Sequence, residues 1–391
     1  MLRDVVAQQF GATTVQILLA DHQLSTLRPV GSGGAAAAID DSAAGEAFTT
    51  QRTVTVPRRP EGVRVHLPVS VGGDRMGVLR LDVPQHLTDE QLDQLSDLAT
   101  LSGYGLNATS RQTDLLHRAA RSHRMTLGAE LQWQLIPARA RVAPEYQLAG
   151  HLEPAYAVYA DNFDWSDNDG TLLVSITDAA NHARTTPLLT TLAVTAARNA
   201  RRAGLGVADQ ACLADQAIYA HHQGAHSVDS LLLSIDIATG RASVVKAGSP
   251  DLVLLRDGLQ QPIELVDQIP LGMFEATDYV TQSFNLTTGD RLVLVSDGVT
   301  RALSTPATHG RDRMAEILSN TLEDAPTRVV RTIIDALIDH PTTNGLTDDA
   351  TVVCVDWMGP GEPSAVTLSA FDTALPSHRH HLHAVPMGAS E

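Results

Sequence analysis

The sequence predicts an α+β protein of at least two domains, with antiparallel sheets and helices packed outside them. Three observations predict it. The chain has 391 residues, more than one ordinary core organises. Strand-like apolar runs recur at 172–177, 230–236, 252–255, 291–296 and 351–355. Several of these runs lie close together with no helix between them, which favours antiparallel pairing over a regular βαβ alternation. Near the N-terminus, Gly72-Gly73-Asp74-Arg75 separates the runs 63–71 and 76–81. Glycine there permits the positive φ of a tight hairpin.

The elements follow in order. Val15 to Ala20 is a short apolar run bounded by polar residues, the pattern of a buried strand. Ser42 to Thr50 is alanine-rich and predicts a short helix. Thr88 with Gln91 three positions on forms a capping-box signature. Leu92, Leu95, Leu98 and Leu101 then supply a buried stripe at helical spacing. From Arg111 to Leu135 the pattern stays helical, with only Gly128 interrupting it, and predicts one long connecting helix that stops before Pro137. Two readings of that helix stay open, a plain spacer and a dimerising, signal-carrying helix pair. Beyond it, helices are expected at 186–203, 207–221 and 327–338 between the strands. After Trp357 the periodicity fades, and the segment to Glu391, with its tract His378-Arg379-His380-His381-Leu382-His383, reads as a disordered tail.

Composition excludes several function classes. Lys and Arg number 28 against 45 Asp and Glu, a net charge of −17. Such a chain lacks the cationic surface of a nucleic-acid binder or of a protein held on anionic lipid. No stretch reaches the eighteen or so apolar residues of a membrane span, and residues 1–10 lack a signal-peptide core. Cys212 and Cys354 are too few for a disulfide framework. A soluble cytoplasmic protein is expected.

The chemistry is suggested by aspartates at strand ends. Asp161 and Asp164 sit in the segment Tyr159 to Trp165, Asp178 follows 172–177, Asp297-Gly298 follows 291–296, and Asp348-Asp349 precede 351–355. Each alone is an ordinary turn residue. Converged at one sheet rim, they would repel one another unless a hard divalent cation sat among them, and oxygen-only ligation points to Mg²⁺ or Mn²⁺. Asp164 to Gly170 also resembles part of a calcium loop but fails the pattern. Trp165 falls at the first ligand position and Ile176 where the bidentate Glu belongs.

As a set, Asp161…Asp178…Asp297-Gly298…Asp348-Asp349-Ala350-Thr351 resembles the motif series of the metal-dependent protein phosphatases (the PPM family, with the protein phosphatase type 2C fold). More narrowly it resembles their bacterial SpoIIE-like branch, which acts in partner-switching control of sigma factors. Val158 to Trp165 is similar to V-G-G-D-F-Y-D-W, and Ile176 to Ala183 to I-G-D-V-S-G-H-G. Lys246 to Pro250 is similar to N-A-G-H-P, Pro270-Leu271-Gly272 to P-L-G, Leu292 to Thr300 to L-L-Y-T-D-G-V-T, and Asp348 to Thr351 to D-D-A-T. The resemblance runs from about Leu131 to Trp357. Residues 1–107 are similar, more weakly, to a GAF domain, which regulates an attached output domain by binding a small molecule or by dimerising. The expected division is a GAF-like sensor domain at 1–107, a helical linker at 108–136, a phosphatase domain at 137–357 and a tail at 358–391.

The resemblance implies an αββα sandwich of two antiparallel sheets with two Mn²⁺ or Mg²⁺ ions at one edge. Those ions would activate a water that attacks phosphoserine or phosphothreonine. It implies that Asp178 bridges the ions, that the Ala179 carbonyl completes one of them, that Asp297 and Asp348 hold the other, and that Asp161 binds directly or through water. Asp164 would steady the loop, Asp349 would stand behind the ligands, and His182 could serve as a general acid. The implied partner is a phosphorylated anti-sigma-factor antagonist or a similar protein, with homodimerisation through the GAF-like domain and linker helix. Tyr159 and Ala160, and Asn181 and Ala183, stand where the family has glycines. Lys246 and Ser249 replace its Asn and His. The carboxylates are kept while the loops around them differ. Two readings therefore stay open, an active phosphatase and a phosphatase-like scaffold that binds signalling partners.

Overall fold

The computed structural model describes residues 2–31, 33–58, 62–154, 156–157, 160–179, 186–304, 309–339 and 348–360. The chain opens with α1 (Leu2–Phe10), β1 (Thr14–Ala20), β2 (Thr26–Pro29), β3 (Ala37–Ala38), α2 (Ala43–Thr50), β4 (Val54–Pro57), β5 (Val63–Val71) and β6 (Asp74–Val83). The strands form one antiparallel sheet in the order β3-β2-β1-β6-β5-β4. Strand alternation sorts its side chains to two faces. Leu19, Val65, Leu67, Leu79 and Leu81 pack on one face with Val6 of α1 and with Leu95 and Ala99 of α3 (Asp89–Thr109). Leu18, Ala20 and Val78 pack on the other with Ala44, Ala47 and Phe48 of α2. The Thr88/Gln91 capping box opens α3.

The single helix expected over 111–135 is not formed. A 3₁₀ turn (Ser110–Gln112) is followed by α4 (Asp114–Ala119) and α5 (Leu127–Leu135). Two threonines cause the breaks. Thr113 and Thr126 are extended, and their hydroxyls accept hydrogen bonds from the amides of Leu115 and Ala129, restarting a helix each time. Leu116 and Ala119 of α4 join the core of the first sheet, and Ala129 of α5 joins the core that follows. The connection is thus short pieces committed to either side.

The remaining elements are β7 (Ala140–Val142), β8 (Tyr146–Glu153), β9 (Asn162–Asn168), β10 (Thr171–Asp178), α6 (Thr186–Arg202), α7 (Val207–His222), β11 (Asp229–Asp236), β12 (Arg241–Ala247), β13 (Asp251–Arg256), β14 (Leu259–Gln261), β15 (Gln282–Asn285), β16 (Arg291–Val295), α8 (Asp297–Leu303), α9 (Gly310–Ser319), α10 (Pro326–Ile338) and β17 (Ala350–Trp357). They build two antiparallel sheets, β15-β12-β11-β10-β9 and β14-β13-β16-β17-β8-β7. Phe163, Ile176, Leu231 and Val244 of the first sheet interdigitate with Tyr146, Leu148, Leu294 and Trp357 of the second. The outer face of the first sheet carries α6 and α7, and that of the second carries α8, α9 and α10. This is the expected αββα sandwich. The segment with calcium-loop features is a hairpin. Asp169 (φ 43°) and Gly170 (φ 81°) make its two-residue turn between β9 and β10.

The first sheet and the sandwich meet at β7. The Val142 amide donates to the Gly72 carbonyl at 2.7 Å, at the tip of the β5–β6 hairpin. A Cβ on Gly73 would lie 2.7 Å from that same amide nitrogen, so the contact needs glycine. Arg139 donates to the carbonyls of Asp21 and His22, and Arg331 of α10 donates to the Leu24 carbonyl and pairs with Asp40.

Candidate metal centre

The sandwich brings distant aspartates to one edge because its strands end there together. Asp161 leads into β9, which pairs with the end of β10, where Asp178 stands. β16 gives way to α8 at Ser296-Asp297, beside the start of β17, which Asp348 and Asp349 precede. The two sheets are tied at this point. The Thr351 hydroxyl on one sheet donates to the Asp161 carboxylate on the other at 2.9 Å. The Thr351 amide in turn donates to the Ser296 hydroxyl oxygen at 3.0 Å.

Carboxylates are concentrated here. Asp161 is 1% exposed. Burial, then the neighbouring Asp178 and Asp349, holds its carboxyl well above the usual carboxylate range, against the hydrogen bonds of Ser296 and Thr351. Burial likewise pushes Asp178 up to about 7, with Asp297, Asp348 and Asp229 adding repulsion and a hydrogen bond with Asp161 opposing it. Ala179, next in the chain, is buried. Asp349 accepts hydrogen bonds from the amides of Ala160 (2.6 Å) and Asp161 (3.1 Å) and so fixes the loop that carries Asp161. Gly298 lets α8 start against this loop. A Cβ there would lie 1.8 Å from the Asp349 carbonyl oxygen.

Asp164 stands apart from the group. Its carboxylate is taken by Arg198 (2.7 Å) and Arg201 (2.9 Å) of α6, which bolt β9 to that helix. Lys246 is also occupied elsewhere, by Asp267 and Asp251. Tyr159, Asn181, His182 and Ala183 lie outside the described residues, as does the histidine tract of the tail.

Four residues of this edge were not anticipated. Asp229 pairs with Asp178 across the sheet, and its carboxylate accepts from the Ser249 amide at 2.9 Å. It too directly precedes an apolar strand, so the pattern that selects Asp348 and Asp349 also selects it. Ser296 and Thr351 are hydroxyls among apolar strand residues, a weak signal. Arg301 gave none. It lies one helical turn beyond Asp297, donates to the Asp297 carboxylate and pairs with Asp348 at 2.5 Å.

Among the described residues, no three His, Cys, Asp or Glu side chains are drawn closely enough to hold a metal ion as they stand. Arg301 accounts for part of this, since its guanidinium occupies the space between Asp297 and Asp348. The donor set itself fits a hard divalent cation. It is all oxygen, largely buried, and holds more negative charge than one guanidinium offsets.

Residues 168–358 match the family model described as Stage II sporulation protein E (SpoIIE). Over these residues the chain is similar to the SpoIIE family. The SpoIIE match takes in Asp178, Asp297, Asp348 and Asp349, while Asp161 and the first sheet lie ahead of it. Solved structures similar to the chain include the RsbU and RsbW domains of Rv1364c from Mycobacterium tuberculosis, at 22% identity and a TM-score of 0.48, covering 58% of this chain and 64% of that one. Another is the PP2C phosphatase domain with a regulatory fragment of SpoIIE from Bacillus subtilis, at 16% identity and a TM-score of 0.47, covering 56% and 65%. A third is the SiaA-PP2C domain of Pseudomonas aeruginosa, at 19% and 0.46, covering 55% and 86%. The chain thus spans just under two thirds of the length of the first two. No curated protein matches it. Among the described residues no helix is long and apolar enough to cross a membrane.

Proposed function

We propose that the chain is a metal-dependent serine/threonine protein phosphatase acting on a phosphorylated regulatory protein of the anti-sigma-factor-antagonist type. One observation carries the reading. Asp161, Asp178, Asp297, Asp348 and Asp349 come from four separate segments, yet they share one edge of a SpoIIE-like sandwich and act on one another electrostatically. Asp178, the Ala179 carbonyl, Asp297 and Asp348 would hold two Mn²⁺ or Mg²⁺ ions, with Asp161 binding directly or through water. The chemistry such ions supply when bound is Lewis-acid activation of water for in-line attack on phosphorus.

The protein's own groups prepare the site. Ser296 and Thr351 orient Asp161 by hydrogen bonds, which fixes where its free lone pairs point. Asp349 holds the Ala160–Asp161 backbone. Asp164, through Arg198 and Arg201, keeps β9 from sliding against α6. The first domain, 1–107, is assigned a regulatory role, with 108–136 as the connection and 137–357 as the catalytic unit. The test is phosphate release with Mn²⁺ from a phosphorylated anti-sigma-factor antagonist. No release, or release unchanged by Asp178→Asn, rules the enzyme out.

One observation favours a second reading, a phosphatase-like scaffold of low activity. Arg301 already pairs with both Asp297 and Asp348 and offsets one of their two charges. On that reading Arg301→Gln raises metal uptake from a low level, and the wild type binds its partner without turning it over.

A further inference from the structure

We propose that the first domain holds a small phosphate-bearing anion in a pocket between the start of α2 and the sheet strands β4 to β6. The sheet face under α2 is apolar at one end and charged at the other. Leu18, Ala20 and Val78 meet the helix. Farther along the same face stand Gln16 of β1, Arg64 and His66 of β5, and Arg80 and Asp82 of β6, in register as Gln16↔Arg80, His66↔Arg80 and Arg64↔Asp82. Ionisable groups on a helix-covered sheet face are costly unless paired. The pairing here is incomplete.

Asp82, 2% exposed, is shared by Arg64 (2.6 Å) and Arg58 (3.1 Å). Among the described residues Arg80 has no carboxylate partner and donates only to the Gln16 side-chain oxygen. His66 is 4% exposed, and its Nδ1 is buried with no hydrogen-bond partner. All four cationic or imidazole groups line one cavity of about 290 Å³, together with Ala43 and Ala44. Those two residues open α2 behind its N-cap Ser42, so their amides have no intrahelical acceptor.

Three guanidinium groups against one carboxylate leave two positive charges, and the helix N-terminus adds to them. Burial and the nearby Arg80 and Arg64 hold His66 down to about 4, so it enters as a neutral ring that can donate or accept. A phosphate dianion matches this charge and the forked donors of arginine. Ala37, Val56 and Pro57 on the wall leave room for an organic body.

The experiment is calorimetric titration of the full chain in EDTA, so that no cation is present at the aspartate edge. The probes are inorganic phosphate, adenosine monophosphate and succinate. Binding of either phosphate probe, weakened at least tenfold by Arg80→Gln and by Arg58→Gln but kept by Asp178→Asn, supports the proposal. The stronger of the two phosphate probes tells whether the free ion or an organic ester is preferred. Absence of binding at 10 mM (roughly 100-fold above a 100 µM Kd, about −5.5 kcal/mol), succinate binding in place of phosphate, or binding unchanged in both arginine variants overturns it. A melting curve for each variant shows that it is folded. Two arginines are tested so that failure of one variant to fold leaves the other decisive.

Discussion

Replacing Arg301 with glutamine should tighten divalent-metal binding. Arg301 sits between Asp297 and Asp348, and a cation shared by those carboxylates must displace its guanidinium. The side chain is 56% exposed, so each contact belongs to the weak, solvent-screened class. Such pairs contribute about 0.2–1 kcal/mol each. Breaking both therefore costs an entering ion about 0.4–2 kcal/mol, or about two- to thirtyfold in affinity. Titration of Mn²⁺ into wild type and Arg301→Gln by calorimetry, at low and at moderate salt, reads this directly. The gain should shrink as salt rises, since salt weakens the pairs before the ion arrives. A variant whose Kd stays within twofold of wild type would show that the arginine does not compete. A variant that binds more weakly would show that it positions the two carboxylates instead. If neither protein binds Mn²⁺, the metal reading of the whole edge fails.

Other expectations follow from the same structure. Asp178→Asn should lower Mn²⁺ affinity at least tenfold and abolish phosphate release, yet the metal-free variant should melt at or above the wild type at pH 8. Its carboxyl is raised to about 7, so the charged form costs the folded state stability that the amide does not. Gly298→Ala should destabilise the sandwich by about 1–3 kcal/mol in urea unfolding, because the added methyl meets the Asp349 carbonyl at 1.8 Å. His22, stacked on Trp133, is held neutral down to about 3 by burial and by Arg139 and Arg121. Its folded value lies below its unfolded value of about 6.5, so the unfolded chain takes the proton first. The stability it contributes is complete above pH 6.5 and falls as pH drops toward 3, by up to about 1.4 kcal/mol per unit. Melting curves at pH 7.5 and 5 should therefore differ less for His22→Gln.

The sandwich was legible because its strands are apolar on both sides, and runs such as 230–236 and 351–355 need no partner to be recognised. Less apolar strands escaped. β9 reads Asn-Phe-Asp-Trp-Ser-Asp-Asn, with Asp164 buried against α6, Asp167 bonded to Tyr146 and its last two residues exposed, so no apolar run marks it. The broken connection was missed because Thr113 and Thr126 are tolerable inside a helix, and only their backbone shows that they cap instead. At the site, the strand-end rule placed Asp178, Asp297 and Asp348 near one another. It could not see Arg301, because one basic residue in the turn after a motif is ordinary until the fold folds it back onto two acids. The hydroxyls of Ser296 and Thr351 were hidden for a similar reason, since their role exists only across two sheets.

The meeting of the β5–β6 hairpin with β7 has a practical consequence. β7 is the outermost strand of its sheet, and the Gly72 carbonyl takes the hydrogen of its Val142 amide. A fragment trimmed to begin near residue 137 would lose that acceptor and leave the rim of the sandwich open to whatever strand came next, most readily another copy of itself. Work on the isolated sandwich would then report on self-associated material, so the hairpin belongs in any shortened version of the protein.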